Sequence, residues 1–388
     1  MPTDIAKQSR ELLIAIAEIG RKYFAKPDIH LIEPFNHYFD KDKNLIVDEL
    51  NKQDGPWTRR ELITRFLLLN AVLDQGPDIE GLRQMLIKVT NELYQKEIRI
   101  LHRPLDFFKE LGISIDKIST VHEGVKKVRA PIWAKENQSN PEKYNLFMDN
   151  SKQVLNYAVF RWGVPLCVPL ILEKDGKKLV DYLEECNSAE LMSKVIKDNE
   201  RYGLGKAIGD KAGHLFAKWY VYSFRLVKRW DKGWQNLSFE IPFDSNAGRI
   251  LFRTGFLLAW ASIKDYQKWE VIQRGKGKGG LNYIRVTNIR GNKSDVALQD
   301  DDLFEKYKTI CAEYLCTKKR PKTIEIQQIP NALLLGTGYG IGELDDGLVY
   351  IGTNFCLNHE NPKCKDCPIK NLCNGYKNSS DLIQNYRT

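Results

Sequence analysis

Residues 352–373 read GTNFCLNHENPKCKDCPIKNLC, with four cysteines at the spacing C-x7-C-x2-C-x5-C. These are Cys356, Cys364, Cys367 and Cys373. No signal peptide precedes them, so we expect a reducing compartment, where clustered cysteines bind metal more often than they pair as disulfides. The stretch therefore predicts a metal-ligand loop.

Two kinds of metal centre fit four thiolates, an iron–sulfur cluster and a structural zinc ion. Zinc sites usually contain two C-x2-C pairs joined by a longer arm. This loop has one such pair, flanked by a wider gap on each side, and Pro368 follows the third cysteine directly. The pattern favours a [4Fe-4S] cluster, with zinc as the alternative and four free structural thiols third.

The loop resembles the iron–sulfur cluster loop of the helix-hairpin-helix DNA glycosylases, the HhH-GPD or endonuclease III-like superfamily. The family has six residues between its first two cysteines where this chain has seven, and the x2 and x5 spacings agree. Gly352 matches a glycine that precedes the family's loop. The resemblance implies a mostly α, two-lobed helical fold with a cleft between the lobes, and a DNA glycosylase activity.

A second segment carries the same resemblance: residues 242–256, PFDSNAGRILFRTGF. Without the family, Asp244 is a candidate helix N-cap, because apolar residues precede it and a helical run follows. In the family this aspartate is catalytic, and arginines stand five and nine positions after it, as Arg249 and Arg253 do here. The resemblance implies a catalytic Asp244, and we expect Arg249 and Arg253 to contact DNA.

The chemistry of base excision suits a carboxylate at this place. A carboxylate at a helix N-terminus stays ionised, because the helix dipole and the free N–H groups favour the anion. Cleavage of an N-glycosidic bond develops positive charge on the sugar, and a fixed carboxylate stabilises that charge or orients an attacking water. Asp244 is therefore the candidate for this task.

Residues 58–75, TRRELITRFLLLNAVLDQ, form a third and weaker point of resemblance. Thr58 and Glu61 make a capping box, and an apolar stripe at helical spacing follows. The family has a similar helix that ends in a glutamine, which fills the space left by an extruded base. The resemblance implies that role for Gln75. A core helix followed by a Gly-Pro turn at 76–77 is the alternative.

The hairpin that names the family reads approximately L-P-G-V-G-x-K-T-A, and residues 201–219, RYGLGKAIGDKAGHLFAKW, allow three registers. One aligns Gly203-Leu204-Gly205 with the glycine pair, which puts Ala207 at the lysine position and implies a monofunctional enzyme. Another aligns Ala207-Ile208-Gly209, which makes Lys211 the Schiff-base lysine of a lyase. In the third, Lys211 precedes a degenerate hairpin. Lys211 as an ordinary surface lysine also stays open.

The composition is compatible with a nucleic-acid partner. The chain has 388 residues, a net charge of +9, eight tryptophans and seventeen tyrosines. This permits phosphate binding and base stacking, although such aromatics more often build the core. Residues 274–280, RGKGKGG, could bring Lys276, Lys278 and backbone amides to a phosphate, or form a solvated loop. No apolar run reaches ~18 residues, so we expect no membrane span.

Apolar residues at three and four spacing predict a mostly α protein. The predicted helices cover residues 8–25, 59–73, 80–100, 143–159, 176–197, 206–229, 247–263 and 301–316. Strand-like alternation is confined to residues 282–289 and 322–329. The charged run 116–136 is predicted to be a solvated loop.

We expect four parts along the chain. Residues 1–55 form a helical extension that packs on the cluster lobe, and residues 56–240 form a helical lobe with the degenerate hairpin. Residues 241–349 form a second lobe that begins at Asp244 and includes a basic insertion at 264–300. Residues 350–388 form the cluster loop and tail.

The functional prediction is a monomeric, cytoplasmic, nucleoid-associated DNA N-glycosylase that binds double-stranded DNA and flips a damaged, mismatched or modified base. One alternative is a defence glycosylase that excises a bulky modified base from foreign DNA, with the insertions enlarging the pocket. The other is a non-catalytic nucleic-acid-binding protein with a zinc-stabilised tail.

Overall fold

The computed structural model describes residues 3–74, 79–110, 112–133, 152–230, 241–242, 245–256, 272–276, 282–287, 293–297, 330, 333–334, 336–357 and 362–377. The described residues are mostly helical, which confirms the predicted fold class at that level. The chain divides into two compact units, one made of Met1–Ala25 with Ser238–Thr388 and the other of Lys26–Leu237. The first boundary therefore lies at residue 25, whereas we expected one at 55. Within the described ranges, no helix is both long and apolar enough to cross a membrane.

The second unit is built from eight α-helices in its described part. They are α2 (Arg59–Leu73), α3 (Ile79–Gln95), α4 (Pro104–Glu110), α5 (Val121–Trp133), α6 (Lys152–Lys174), α7 (Leu179–Glu184), α8 (Ala189–Asp198) and α9 (Asp210–Lys218). A short hairpin, β1 (Gln53–Asp54) and β2 (Trp57–Thr58), leads into α2. A π-helix, Trp219–Ser223, continues α9.

Helix α2 is the centre of this unit, and it begins and ends where the sequence predicted. The Thr58 hydroxyl accepts a hydrogen bond from the Glu61 amide at 3.3 Å, which caps the first turn. Glu61 and Arg65 are buried and form an ion pair of 2.9 Å. Glu61 also accepts the amides of Leu179 and Val180, at 2.9 and 2.8 Å. The buried carboxylate thus joins the start of α7 to α2 and is fully paired.

Part of the run predicted to be a solvated loop is helix α5, so that prediction is wrong. The Thr120 hydroxyl accepts the Glu123 amide at 3.2 Å, and the Glu123 carboxylate accepts the Ser119 amide at 2.7 Å. This reciprocal cap starts the helix. Its buried apolar side chains lie at helical spacing between the charged residues: Val121, Val125 and Val128.

Two further helices differ from the periodicity-based prediction. Helix α6 begins at Lys152 and runs well past the predicted end at 159, with Pro165 and Pro169 inside it. The predicted helix 176–197 is two helices, α7 and α8, separated at Asn187, whose φ is +54°. A left-handed residue cannot continue an α-helix, and it turns the chain between the two.

The first unit contains α1 (Thr3–Lys22), α10 (Ser245–Arg253), α11 (Ile341–Asn354) and α12 (Asn374–Lys377). Helices α1 and α11 cross at very short range, because glycines lie at the contact. A Cβ atom on Gly20 would overlap the Glu343 carbonyl oxygen, and one on Gly347 would overlap the Ile16 carbonyl oxygen. Helix α10 packs on the other side of α11. The N-terminal helix therefore belongs to the unit that contains the cysteine loop.

A three-stranded antiparallel meander, β3 (Ile272–Lys276), β4 (Asn282–Thr287) and β5 (Lys293–Ala297), lies within the predicted insertion. Strand β4 agrees with the strand predicted at 282–289. The predicted strand 322–329 and the predicted helix 301–316 lie outside the described residues.

Candidate functional site

The cysteine loop begins where helix α11 ends. The amides of Phe355 and Cys356 both donate to the Ile351 carbonyl, at 3.0 and 2.8 Å, which closes the last turn. One turn earlier, Gly352 lies against Asn246 of α10, and a Cβ at Gly352 would approach the Asn246 Oδ1 to 2.8 Å. The glycine that carried the resemblance thus permits close packing of α10 on α11 beside the first cysteine.

All four cysteines of the loop line one cavity, with about 450 Å³ of empty space including its open side. The side chains of Ile250 and Arg253 from α10 line the same cavity. Among the described residues, no three cysteine, histidine or acidic side chains are grouped so that they could hold a single metal ion. The four thiols that the spacing selected thus line one shared space without being grouped around a single point.

The later cysteines are positioned by a succession of tight turns. The Cys367 amide donates to the Cys364 carbonyl at 3.3 Å, and the Lys370 amide donates to the Cys367 carbonyl at 3.1 Å. The Cys373 amide then donates to the Lys370 carbonyl at 3.2 Å. Each step spans three residues, so the x2 and x5 spacings correspond to one and two such turns.

The donor set fits a thiolate-bound metal cofactor. Burial raises the pKa of Cys364 and Cys373, and it raises the pKa of Cys367 to about 12. The neighbouring sulfurs, when ionised, add to the rise at all three. Three thiols with raised pKa values ionise together only if a cation stabilises them, and a coordinated metal does this.

The structure changes the role that we assign to Arg249 and Arg253. Both are buried, with 2% and 4% of their surface exposed. The Arg249 Nε donates to the Cys356 carbonyl at 2.6 Å, and its Nη2 donates to the Gly352 carbonyl at 3.2 Å. The Arg253 Nη1 donates to the Cys356 sulfur at 3.2 Å and to the Leu357 carbonyl at 3.1 Å. In this structure the two arginines hold the cysteine loop and are not directed at a phosphate.

Asp244 itself lies outside the described residues, but the helix that follows it is defined. Helix α10 begins at Ser245, directly after Asp244, and ends at Arg253 on the wall of the cysteine cavity. A helix of nine residues is ~13 Å long at about 1.5 Å per residue. One short helix thus connects the position that follows Asp244 to the wall of the cysteine cavity.

Lys211 contacts Asp74, the residue before Gln75, in the second unit. Lys211 is the second residue of α9, and its Nζ lies 3.2 Å from the Asp74 carbonyl and 3.6 Å from the Asp74 Oδ1. The buried Asp74 side chain also accepts from the Arg83 Nη2 at 3.2 Å. Gln75 follows directly and lies outside the described residues. Asp74 and Arg83 were missed by the sequence analysis, because an Asp after an apolar helix has no distinctive spacing.

Helices α8 and α9 form a helical hairpin. Gly209 is the N-cap of α9, and the 3-10 turn Gly205–Ala207 lies in the connection. The first two registers of the hairpin motif fall on this connection, whereas the third places its hairpin after Ala212, where the helix continues to Ser223. Of the remaining predicted DNA contacts, Lys276 is the last residue of β3, and Lys278 lies outside the described residues.

Comparison of the chain with protein-family models, with curated proteins and with solved structures found no match.

Proposed function

We propose that this protein is a DNA N-glycosylase of the helix-hairpin-helix type that carries a [4Fe-4S] cluster on Cys356, Cys364, Cys367 and Cys373. One observation carries the proposal. Two segments that resemble the family are far apart in sequence, and helix α10 connects them: it starts directly after Asp244 and its last residue lines the cysteine cavity.

The cluster would order the loop that follows α11 and so hold one end of α10. When bound, a [4Fe-4S] cluster supplies the positive charge that four half-buried thiolates require. The loop between its ligands presents Lys363 and Lys365, both exposed, to solvent. Exposed lysines on an ordered loop can contact DNA phosphates.

In the proposed reaction, one nucleotide leaves the duplex and its base enters the enzyme. The Asp244 carboxylate, at the N-terminus of α10, stabilises the positive charge that develops on the sugar, or it positions the water that attacks. The helix dipole favours the ionised carboxylate at this end. Removal of the charge is therefore the direct test of the mechanism.

The start of α9 favours the second register of the hairpin motif. Helix α9 begins at Asp210, directly after Gly209, so Ala207-Ile208-Gly209 forms the final part of the connection and Lys211 lies in the first turn of the second helix. In this register Lys211 attacks the sugar as an amine. In the structure its Nζ lies beside Asp74, whose carboxylate favours the ammonium form, so attack as an amine requires this ion pair to open.

The experiment that tests the proposal is a base-release assay of Asp244→Asn on duplexes that carry damaged, mismatched and modified bases. Asparagine caps a helix about as well as aspartate, so folding and DNA binding should persist. Base release should fall by orders of magnitude, because only transition-state stabilisation is lost. Asp198→Asn, which removes an exposed charge at the end of α8, is the control.

Three outcomes decide against parts of the proposal. Base release that survives in Asp244→Asn removes Asp244 from the mechanism. Abasic sites that accumulate uncleaved in the wild-type reaction, with no borohydride trapping that depends on Lys211, remove the lyase role and leave water as the nucleophile. Zinc without iron in metal analysis, and no absorbance near ~400 nm, would replace the cluster with a zinc site.

A further inference from the structure

We infer that Arg253 tunes the proposed cluster, by donating a charge-assisted hydrogen bond to the sulfur of Cys356. The inference rests on the proposed function, because it presupposes a cluster on the four cysteines. It adds a role for a residue that contacts no substrate: Arg253 sets the reduction potential of the cluster and its resistance to loss. Arg253 is in this sense a positioning residue and not a catalytic one.

The contact is direct and partly buried. The Arg253 Nη1 lies 3.2 Å from the Cys356 sulfur, a distance within the range of N–H···S hydrogen bonds, and 3.1 Å from the Leu357 carbonyl. Only 4% of the residue is exposed. The backbone carbonyl of Arg253 also lies 3.5 Å from the Cys373 sulfur. Residue 253 therefore contacts the first and the last cysteine of the loop.

The end of α10 is fixed against the loop, so this contact is not a chance side-chain orientation. The Asn374 amide donates to the Thr254 carbonyl at 3.2 Å. Gly255 has a φ of +82°, and a Cβ at this position would come within 2.5 Å of the Asn374 side chain. The backbone on both sides of the cavity is thus interlocked, and the Arg253 guanidinium is held at the Cys356 sulfur.

Arg249 provides an internal comparison, one helical turn earlier on α10. Its guanidinium donates to the backbone carbonyls of Cys356 and Gly352 and to the Oδ1 of Asn246. Both arginines are buried and both hold the loop. Arg253 donates to the Cys356 sulfur, whereas Arg249 binds the loop through backbone carbonyls. Substitution of each residue therefore distinguishes an effect on the ligand sulfur from an effect of anchoring the loop.

A cation that donates to a ligand sulfur stabilises negative charge on that ligand. The reduced cluster carries one more electron than the oxidised cluster, so the bond stabilises the reduced form more and raises the reduction potential. The same bond keeps the thiolate oriented toward the metal. Loss of partners of this kind typically costs 10–100-fold in metal affinity.

The test compares iron-loaded wild type, Arg253→Met, Arg253→Lys and Arg249→Met. Methionine keeps the apolar stem and removes charge and donors, whereas lysine keeps the charge with a shorter reach to the sulfur. The reduction potential is measured by redox titration on an electrode at one pH and salt concentration. Cluster loss to an iron chelator is followed by the decay of absorbance near ~400 nm.

We expect Arg253→Met to have a lower reduction potential than wild type and to lose its cluster about 10-fold faster. Arg253→Lys should lie between them in both properties. Arg249→Met should lose its cluster faster, because an anchor of the loop is gone, while its reduction potential should fall by less than that of Arg253→Met, because its charge is not bonded to the sulfur.

An unchanged potential in Arg253→Met, or an equal shift in Arg249→Met, overturns the inference. If Arg253→Met retains no cluster after purification, Arg253→Lys decides, and a wild-type potential in that variant also overturns it. A wild-type protein without iron would instead overturn the cofactor itself. Failure of the tuning role and failure of the proposed function therefore give different results.

Discussion

At the scale of single residues, a hydrogen-bonded chain of ionisable side chains in the second unit has consequences for stability. The Tyr38 hydroxyl donates to Asp54 Oδ2 at 2.5 Å, and the other carboxylate oxygen lies 3.1 Å from the His102 Nε2. The Tyr94 hydroxyl lies 3.0 Å from the His102 Nδ1. One neutral imidazole tautomer suits both contacts, with the Nε2 proton on the side of the Asp54 carboxylate and Nδ1 accepting from Tyr94.

These linked side chains should make the second unit less stable in mild acid. Burial lowers the pKa of His102 despite the opposing effect of Asp54, so the folded protein holds a neutral imidazole at pH values where the unfolded chain is already protonated. The contribution of His102 to the free energy of unfolding is therefore complete above about 6.5, the pKa of histidine in the unfolded chain. It is lost as the pH falls below that value. The pKa of Asp54 is also lowered, which extends the loss to pH values below about 4.

Urea unfolding between pH 7.5 and 5.5 measures this prediction. We expect the free energy of unfolding of the wild type to fall with pH across this range, and the fall to be shallower in His102→Gln. Burial also lowers the pKa of His30 and His37, so part of the slope should persist in the variant. A variant with the wild-type slope, or a steeper one, would contradict the assignment to His102.

The cysteines of the proposed metal loop could be selected from the sequence, whereas the residues that hold the loop could not. Cysteine spacing is read directly from the chain, since few other sites place four thiols in this pattern. Arg249 and Arg253 were assigned to DNA, because a guanidinium suits a phosphate, a backbone carbonyl and a thiolate alike. Their true partners depend on which face of α10 is buried against α11. The sequence shows the spacing of the two arginines but not their environment.

At the scale of elements, amphipathic helices with strong caps were predictable and fully buried ones were not. Helix α2 has a side-chain cap at Thr58, and its predicted bounds agree with the structure. Helix α6 is buried on several sides in its second half and contains Pro165 and Pro169, so its sequence lacks a single apolar stripe and contains two residues that commonly end helices. Tertiary packing overrides both signals there.

The glycine contact between α1 and α11 should be essential for the first unit. In Gly347→Ala, the new methyl group would overlap the backbone carbonyl of Ile16, which a rotamer change cannot relieve. We expect a loss of stability of about 1–3 kcal/mol, or more if the helices separate. Thermal unfolding, read together with absorbance near ~400 nm, should show a lower transition and earlier release of the cluster.

Gly209→Ala is the matched control for this substitution. Among the described residues, apart from the two neighbours of Gly209 in the chain, no atom lies within 4 Å of a Cβ built at this position, and its φ of −87° suits alanine. Its effect should stay near the few tenths to ~1 kcal/mol expected for an N-cap glycine. Equal transitions in the two variants would show that the crossing of α1 and α11 tolerates a Cβ atom.

At the scale of the whole molecule, the chain starts in the first unit, forms the second and returns to the first. Because the chain returns, residues 1–25 fold with a loop that lies more than 300 residues later. The spacing of apolar residues cannot predict this relation, because it shows only which face of each helix is buried. It also predicts that the proposed cluster stabilises helix α1. Helix α1 packs on α11, and α11 ends at the first cysteine of the loop.

Hydrogen exchange of wild type and Cys364→Ser should show this coupling. Loss of a ligand should remove the cluster, so amides in residues 350–377 should exchange faster, followed by those of α1 and α11. Amides in α2 and α6, in the second unit, should keep their protection. Uniform loss of protection across both units would mean that they unfold together, and unchanged exchange in α1 would separate that helix from the metal.

The last prediction concerns DNA. A chain with a net charge of +9 that binds through phosphates releases counterions, so the logarithm of its binding constant should fall linearly with the logarithm of salt concentration. If the cluster loop contacts the backbone, Lys363→Ala and Lys365→Ala should each weaken binding to all duplex sequences alike. Each should also reduce the salt slope by about one. Lys126→Ala, an exposed lysine on α5, is the control and should leave the slope unchanged. Fluorescence anisotropy with a labelled duplex, at several salt concentrations, measures the binding constants of all four proteins.

Binding that is independent of salt would exclude the phosphate-based interaction on which the proposed function depends. A normal salt slope that neither loop variant changes would place the phosphate contacts elsewhere on the protein.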